Sequence, residues 1–404
     1  MPSSSPAAGT STGVFGLLCL GSYLLSVSYG TTFLLAMMLS AHGGSESDAG
    51  TILSAAMVST FVAVIFSGHL SDLLGASKAI AGAAVLLAAA CLGFASLQAF
   101  GVAALVYGLI LGLGWGVFYT LGPIIVAMII EPTRRVKYFA LLSGSMMTGI
   151  GTGPLLGRIS EALGYPVETA FGMATAASLL GGLAFIFIGP TLKRQSAQVG
   201  PISVCRITPR AGVTVLGSKA LFAIVMVGLG GAIFGGLSSF QTSYAALNHL
   251  DYSLFFLGFM GAVITCRMLI AGFIVKRDPY WMACGLTALI VLSVLMFMFT
   301  VDSSATYVLA AVTLGVGYGL TYSVVNGLAA NEAPAGHTSQ SLVLFSLGYF
   351  VGVFGFPWIA GRVIVNEGIP TLLWIILGVA VCNWSITVGR LLWRKRAAAR
   401  LNTR

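Results

Sequence analysis

Charged residues are scarce in this sequence. Asp, Glu, Lys and Arg make up 8% of the 404 residues, hydrophobic residues make up 57%, and the mean hydropathy is +0.98. A soluble chain carries about 25% charged residues, because its surface must be hydrated. The shortage of charge therefore excludes a soluble globular protein and predicts an all-α membrane protein with many spanning segments.

Patterns of reactive and metal-binding residues are also missing. The six cysteines are isolated and lack the paired spacing of a metal site or a disulfide framework. The histidines all fall in predicted loops or at helix ends: His42, His69, His249 and His337. Because these positions offer no Ser/His/Asp, metal or phosphate-binding group, we expect no enzyme activity, no cofactor and no bound metal.

Apolar runs long enough to cross a bilayer, about twenty residues each, follow one another along the chain. They lie near residues 13–39, 50–71, 78–98, 101–129, 137–160, 166–189, 218–246, 252–274, 280–300, 304–329, 338–362 and 369–392. The longest polar interruption separates the sixth run from the seventh. We therefore predict an N-terminal six-helix domain (1–190), a cytoplasmic linker (191–217) and a C-terminal six-helix domain with a basic cytoplasmic tail (218–404).

Basic residues are distributed unevenly between the predicted loops. Placing the loops alternately on two sides collects Lys78, the linker cluster and Arg394–Arg396 on one side, whereas the opposite loops are mainly acidic. By the positive-inside rule, the basic side faces the cytoplasm, so both termini are predicted inside, in a cytoplasmic (inner) membrane. The rule also accounts for the net charge of +9, so we expect no nucleic-acid partner.

A glycine-rich stretch occurs twice. Gly149–Arg158 reads GIGTGPLLGR, and Gly352–Arg362 reads GVFGFPWIAGR. At nearly the same shift, Gly112–Tyr119 (GLGWGVFY) corresponds to Gly315–Tyr322 (GVGYGLTY). Duplicated halves of the same topology predict twelve transmembrane helices in two six-helix pseudo-repeats, an arrangement in which a transported substrate lies between the halves.

These features resemble the major facilitator superfamily over essentially the whole chain. The loop after the second span, residues 68–78, is similar to the gating loop of that family. The gating residues that the resemblance implies are Gly68, Asp72, Gly75 and Lys78. The loop departs from the family pattern where basic residues are usual, at Leu73, Ala76 and Ser77. With fewer charges, we expect a weaker lock of the cytoplasmic side.

The fifth span is similar to the antiporter motif of the family. The matching positions are Gly149, Gly153, Pro154 and Gly157. Only the last glycine of the motif differs, because Arg158 stands there. Gly149 and Gly153 share one face of a helix at a four-residue spacing, which predicts close packing against a neighbouring helix. In the family this motif accompanies exporters, so the resemblance implies efflux.

The Arg-x-x-Gln-Gly motif that is usual in the fourth helix of the family is absent, since Gly108 and Leu111 precede Gly112. In addition, every carboxylate of the chain falls in a predicted loop or at a helix end. An acid at the centre of the membrane is the usual carrier of a coupling proton. The sequence therefore leaves proton coupling without an obvious residue.

Arg267 is a charged residue inside an apolar segment. It precedes Lys276 by nine residues, about 13 Å along a helix from the predicted cytoplasmic end. A cation at this depth needs a partner, either a substrate anion or a structural pair, and both interpretations stand. Further candidates for substrate binding are aromatic and amide residues at helical spacing: Tyr29, Trp115, Tyr119, Gln241, Tyr244, Tyr322 and Asn326.

The sequence as a whole predicts a monomeric secondary transporter in the lipid bilayer that moves a small organic solute by alternating access. The first interpretation is efflux coupled to protons. The alternative is uptake or exchange of an organic anion, a carboxylate bound by Arg267.

Overall fold

The computed structural model describes residues 12–130, 135–199, 208–270 and 277–402, which form helices and short loops without strands. Eleven helices in these ranges are long and apolar enough to cross a membrane, and a shorter apolar helix, Ser253–Thr265, begins the remaining span. The prediction of an all-α membrane protein with twelve spans is confirmed.

The first six spans follow in chain order. Helix α1 consists of Thr12–Thr31 and Leu35–Ala41, joined by the 3-10 turn Thr32–Leu34. The next five are α2 (Glu46–Leu74), α3 (Ala76–Ala95), α4 (Val102–Ile129), α5 (Arg135–Ala162) and α6 (Glu168–Val199). Successive helices run in opposite directions.

The last six spans repeat this plan after a linker helix, Pro209–Leu216. They are α7 (Ala220–Ser239 with Gln241–Leu247), α8 (Ser253–Thr265 with the π turn Cys266–Ile270), α9 (Pro279–Phe299), α10 (Ser304–Asn331), α11 (Thr338–Phe350 and Phe356–Glu367, joined by the π turn Val351–Gly355) and α12 (Ile369–Asn402). The interval 191–217 thus holds the end of α6 and the linker helix, and the domain boundaries drawn there stay a prediction.

Polar residues between the apolar runs start several helices. Ser45 caps α2 in a capping box, accepting from the amide of Asp48 while its own amide donates to the Asp48 carboxylate. Asp278 accepts from the amide of Tyr280 at the start of α9, where Pro279 fills a position that needs no donor. Inside the spans the helical hydrogen bonds satisfy the backbone, which the bilayer could not do.

The same helix pairs touch in both halves. In the N-terminal half α1 packs against α5 and α6, and α2 packs against α4. In the C-terminal half the equivalent helices do the same, since α7 packs against α11 and α12, and α8 packs against α10. This agreement confirms the two pseudo-repeats.

The halves meet along α2 with α11 and along α5 with α8. We call the face that carries the described chain ends, residues 12 and 402, the terminal face, and the opposite one the distal face. Near the distal face the backbones of the halves touch, because a Cβ atom on Gly50 would lie 2.2 Å from the carbonyl oxygen of Pro357. The molecule is therefore closed at the distal face.

Candidate functional site

Arg267 lies in the π turn at the end of α8 and is 5% exposed. Its Nη1 donates to the hydroxyl of Ser143 on α5, and its Nε donates to the carbonyl oxygen of Gly319 on α10 at 3.4 Å. The guanidinium carbon is 5.3 Å from the ring centre of Tyr322. This buried cation thus links the two halves of the protein, and its contacts with described residues are all with neutral groups.

Four tyrosines lie beside Arg267, and we call them the tyrosine group: Tyr119, Tyr318, Tyr322 and Tyr349. The hydroxyls of Tyr119 and Tyr322 are 2.8 Å apart, and Tyr318 donates to Tyr349 over 3.3 Å. The rings of Tyr119 and Tyr349 stack at 6.1 Å between centres. Tyr119 on α4 and Tyr322 on α10 hold equivalent positions in the two repeats. Their hydrogen bond therefore joins the halves on the axis that relates them.

An aromatic layer fills the centre on the distal side of the tyrosine group. It consists of Tyr29, Phe33, Trp115, Phe234, Phe256 and Phe354. Tyr29 stacks on Trp115 at 4.7 Å, and Phe33 of the N-terminal half stacks on Phe256 of the C-terminal half at 5.4 Å. The hydroxyl of Tyr29 is buried and has no hydrogen-bond partner among the described residues. A buried polar atom without a partner is available to a bound solute.

The structure brings together five of the residues predicted to bind substrate: Tyr29, Trp115, Tyr119, Arg267 and Tyr322. Asn326 is half-buried and lies one helical turn beyond Tyr322 towards the terminal face. Which of these residues contact the substrate stays a prediction.

Gln241 and Tyr244 lie elsewhere. The amide oxygen of Gln241 accepts from the hydroxyl of Tyr307 at 2.7 Å, and Tyr244 donates to the carbonyl oxygen of Phe297 at 2.8 Å. Both partners belong to the C-terminal half, near the distal face. Because these polar groups are satisfied there, the structure separates them from Arg267.

Sequence reasoning missed Ser143 and Tyr349. Ser143 is one of many serines in the apolar helices, and only the folded chain shows that its hydroxyl meets Arg267. Tyr349 is one of several aromatic residues on α11, and only the folded chain shows that its hydroxyl meets Tyr318. Both residues could be found only from the way α5 and α11 pack.

The glycines of the predicted antiporter motif hold α5 against α1. A Cβ atom on Gly149 would lie 2.1 Å from the carbonyl oxygen of Tyr23, and one on Gly153 would lie 2.2 Å from the carbonyl carbon of Gly30. One on Gly157 would lie 2.6 Å from Leu34. Pro154 lies within α5, which continues through it. The close packing predicted for this face is therefore present.

Arg158, which replaces the last glycine of that motif, reaches across to the other half. Its Nε donates to Asp251 at 2.7 Å. Two further contacts cross the same face, since Tyr252 donates to Glu161 at 3.0 Å and Ser243 donates to Glu46 at 2.8 Å. We call these three pairs the distal latch. They add polar contacts to the closure at the distal face.

Neighbouring hydrogen-bond donors stabilise the negative charge on Asp251. Partial burial acts to raise its pKa, but hydrogen bonds from the hydroxyl and amide of Ser253 and from Arg158 outweigh this and hold the pKa below its usual value. Asp251 is thus ionised at neutral pH, and its pair with Arg158 is an ion pair.

The predicted gating loop joins α2 to α3 at the terminal face. Gly75 has φ +83°, a left-handed conformation that favours glycine, and this permits the sharp turn. Gly68 is buried, while Asp72 and Lys78 are exposed. Ser77, which stands where the family usually has a basic residue, donates to the carbonyl oxygen of Phe185 and ties α3 to α6. The gating role of this loop stays a prediction.

Two repeated halves around a shared polar centre define the class of membrane transporters that was expected from the sequence. The family model described as Major Facilitator Superfamily matches residues 15–357. The chain belongs to the major facilitator superfamily, and it is a multi-pass membrane protein of a family that transports solutes.

Solved structures share the fold at low identity. The crystal structure of the human organic anion transporter MFSD10 (TETRAN) has a TM-score of 0.67 at 17% identity, covering 93% of this chain and 98% of that one. A mutant of the peptide transporter POT has a TM-score of 0.73 at 19% identity, covering 93% of each chain. The same mutant in complex with sulfate has a TM-score of 0.73 at 18% identity, covering 96% of each. A search of the curated proteins finds no match.

Proposed function

We propose that this protein carries a small organic anion across the membrane by alternating access, with Arg267 binding the anionic group. The observation that supports the proposal most directly is a buried guanidinium at the contact between the halves whose contacts among the described residues are all neutral. Taking a cation out of water without a counter-charge is costly, and an intramembrane cation commonly faces a substrate path.

The guanidinium has donor capacity to spare. Nε and Nη1 are engaged, whereas Nη2 donates to no described residue. A guanidinium is planar and can give two parallel hydrogen bonds to the oxygens of one carboxylate or sulfonate. Tyr119 and Tyr322 lie close enough to donate their hydroxyls to the same group once their mutual hydrogen bond opens.

The aromatic layer favours a substrate with an apolar body. Ring faces from both halves pack together on the distal side of the tyrosine group, and the Tyr29 hydroxyl adds an unpaired polar group among the described residues. Binding sites for small organic molecules commonly combine aromatic walls with a few directed polar groups. The proposed substrate therefore carries its charge at one end and an aromatic or branched apolar group at the other.

Alternating access requires the halves to separate at one face while they close at the other. Here the distal latch and the touching backbones of α2 and α11 close the distal face. We take the terminal face as cytoplasmic, because Lys78, Arg394 and Lys395 lie there and cytoplasmic loops are enriched in basic residues. On this view, the substrate leaves or enters the centre from the cytoplasmic side in this conformation.

Proton-coupled efflux is the second candidate. The close packing of Gly149 and Gly153 against α1 favours it, because the antiporter motif that these residues resemble accompanies exporters. However, the carboxylates of the described residues all lie in loops or at helix ends, so the centre offers no acid to carry the proton. We therefore rank exchange of anions above proton antiport.

Transport by the purified protein in liposomes tests the proposal. Each assay pairs an aromatic carboxylate with an amide and an amine of the same shape, first with unlabelled carboxylate inside the vesicles and then with an acidic interior. We expect saturable uptake of the carboxylate that is stimulated by internal carboxylate. Transport of the amine or the amide alone would contradict the proposal, and carboxylate accumulation that requires the acidic interior would favour proton antiport.

A further inference from the structure

Cations held over exposed indole rings form a patch at the terminal face of the C-terminal half. The Nζ of Lys219, just before α7, lies 4.9 Å from the ring centre of Trp393 on α12. The Nζ of Lys395 on α12 lies 4.4 Å from the ring centre of Trp281 on α9. We call these four residues the cation–indole patch. The end of α12 thus forms one lysine–indole contact with the residue before α7 and a second one with α9.

The patch lies at the level where a bilayer changes from acyl chains to headgroups. Trp393 is 60% exposed and Trp281 is 55% exposed, although both are large apolar side chains. Trp374, near the other end of α12, is 58% exposed. Trp374 and Trp393 are nineteen residues apart on α12, about 28 Å at helical rise, which is close to the thickness of the hydrocarbon core. Exposed tryptophans at this separation mark the two membrane interfaces.

The patch has a surplus of positive charge. Its neighbour Arg390 is paired with Glu332, and Arg394 is paired with Asp278 at 2.6 Å. The two carboxylates closest to the patch are therefore already engaged by arginines. Lys219 and Lys395 form no ion pair with a described residue, and the adjacent Arg396 is exposed. These lysines are therefore available to an anion from outside the chain.

From this geometry we propose that the cation–indole patch binds the headgroup of an anionic phospholipid. The lysine ammonium groups would contact the phosphate oxygens, and the exposed indoles would lie against the glycerol region and the first acyl carbons. The ligand is identified as a lipid because the tryptophans place the patch at the membrane surface. A soluble anion would have no use for the exposed indoles.

The N-terminal half offers no equivalent site. Its only tryptophan is Trp115, which is buried in the aromatic layer. A bound lipid would thus contact α7, α9 and α12 on one side of the molecule. It would hold the end of α12 against the starts of α7 and α9, in addition to the Arg394–Asp278 pair, which joins α12 to the start of α9.

Native mass spectrometry of the detergent-purified full-length protein tests the site. Phosphatidylglycerol and phosphatidylcholine with the same acyl chains are titrated separately, and the bound fraction is measured. We expect phosphatidylglycerol to be retained preferentially, and K219Q/K395Q to weaken its binding by about fivefold for each lysine removed. The arginine variant K219R/K395R should retain the preference.

The control K137Q/R210Q removes two exposed charges from the same face outside the patch and should bind phosphatidylglycerol as the unmodified protein does. An equal loss in both glutamine variants would show a general charge effect and overturn the proposal. So would equal retention of both lipids. Complete displacement of the lipid by millimolar inorganic phosphate would show a site for free phosphate and would also overturn it.

Discussion

The two copies of the glycine-rich stretch keep the same backbone contacts but use their arginines differently. A Cβ atom on Gly149 would lie 2.1 Å from the Tyr23 carbonyl oxygen on α1, and one on Gly352 would lie 2.0 Å from the Gly228 carbonyl oxygen on α7. By contrast, Arg158 donates a hydrogen bond to Asp251 in the other half. The guanidinium carbon of Arg362 lies 3.8 Å from the ring centre of Trp358 on its own helix. Glycine contacts preserve the packing of each half, and the arginines have acquired separate roles.

The copies also differ in length by one residue. Gly352–Arg362 contains one residue more than Gly149–Arg158, and α11 contains the π turn Val351–Gly355 where α5 is a continuous α-helix. A π turn holds one more residue than an α turn, so it accommodates the extra residue. The two stretches still end alike, since Gly164 after α5 and Gly368 after α11 have φ +78° and +89°.

Substitution of the paired glycines is expected to have the largest effect. We expect Gly149→Leu and Gly352→Leu each to abolish transport and to lower stability by about 1–3 kcal/mol or more, because a side chain at either position separates two helix backbones. Gly172→Leu is the matched control, since a Cβ atom at Gly172 meets nothing within 4 Å. Transport and thermal unfolding in detergent measure the result. Tolerance of leucine in one copy alone would show that the copies pack differently.

The hydrogen bond between Tyr119 and Tyr322 joins the two halves, and its loss should appear in the free energy of unfolding. We expect Tyr119→Phe and Tyr322→Phe each to lower the free energy of unfolding by about 1 kcal/mol, and the double variant to lose no more than either single variant, because one hydrogen bond is lost in all three. Tyr165→Phe, at an exposed tyrosine, serves as control. Additive losses would mean that the two hydroxyls act separately.

The different contacts of Arg158 and Arg362 predict a smaller effect, on how often the distal face opens. In a background without native cysteines, Met260→Cys places a thiol where α8 meets Gly151 of α5. We expect Asp251→Asn to raise the rate at which a membrane-impermeant reagent labels this thiol, because the distal face opens more often. The expected rise is about two- to fivefold, which corresponds to the loss of an exposed ion pair. Arg362→Gln should leave the rate unchanged. An equal rise in both variants would remove the distinction between the two arginines.

Between pH 8 and pH 5 the same labelling rate should stay constant once it is divided by the rate for a free cysteine at each pH, because the thiolate is the reactive form. Because the folded-state pKa of Asp251 is lowered, its charge stabilises the latch above the ordinary carboxylate pKa of about 4 and is lost only as the pH falls through the lowered value. A rise in labelling between pH 7 and pH 6 that Asp251→Asn abolishes would contradict the lowered pKa of Asp251.

Much of the fold could be predicted from the sequence, because the signals are local. Apolar runs and their length determine the spans, and the repeated glycines at Gly112 and Gly315 determine the two-half plan. The π turn that carries Arg267 was not predictable, since it depends on the packing of α8 between α5 and α10. Helix α6 continues to Val199, past the predicted end of its span at residue 189, because a helix need not end where its apolar run ends.

The candidate site was predictable only in part. A buried arginine and aromatic residues at helical spacing can be found in the sequence, so Arg267, Tyr119 and Tyr322 were found. Gln241 and Tyr244 show the same spacing, yet they pack inside one half, because periodicity identifies a buried face without identifying which neighbour covers it. Contacts between halves, such as Arg158 with Asp251, join residues far apart in the chain and leave no local pattern.

The most direct test of the account is the half-saturation concentration for transport by Arg267→Lys, measured in liposomes with one organic anion and one neutral solute that the protein also carries. Lysine keeps the charge but cannot give two parallel hydrogen bonds to one carboxylate. We expect the half-saturation concentration for the anion to rise at least about tenfold, the loss of one charge-assisted hydrogen bond, while that for the neutral solute and the amount of protein stay the same. An equal change for both solutes would contradict the account and leave Arg267 a structural link between α5, α8 and α10.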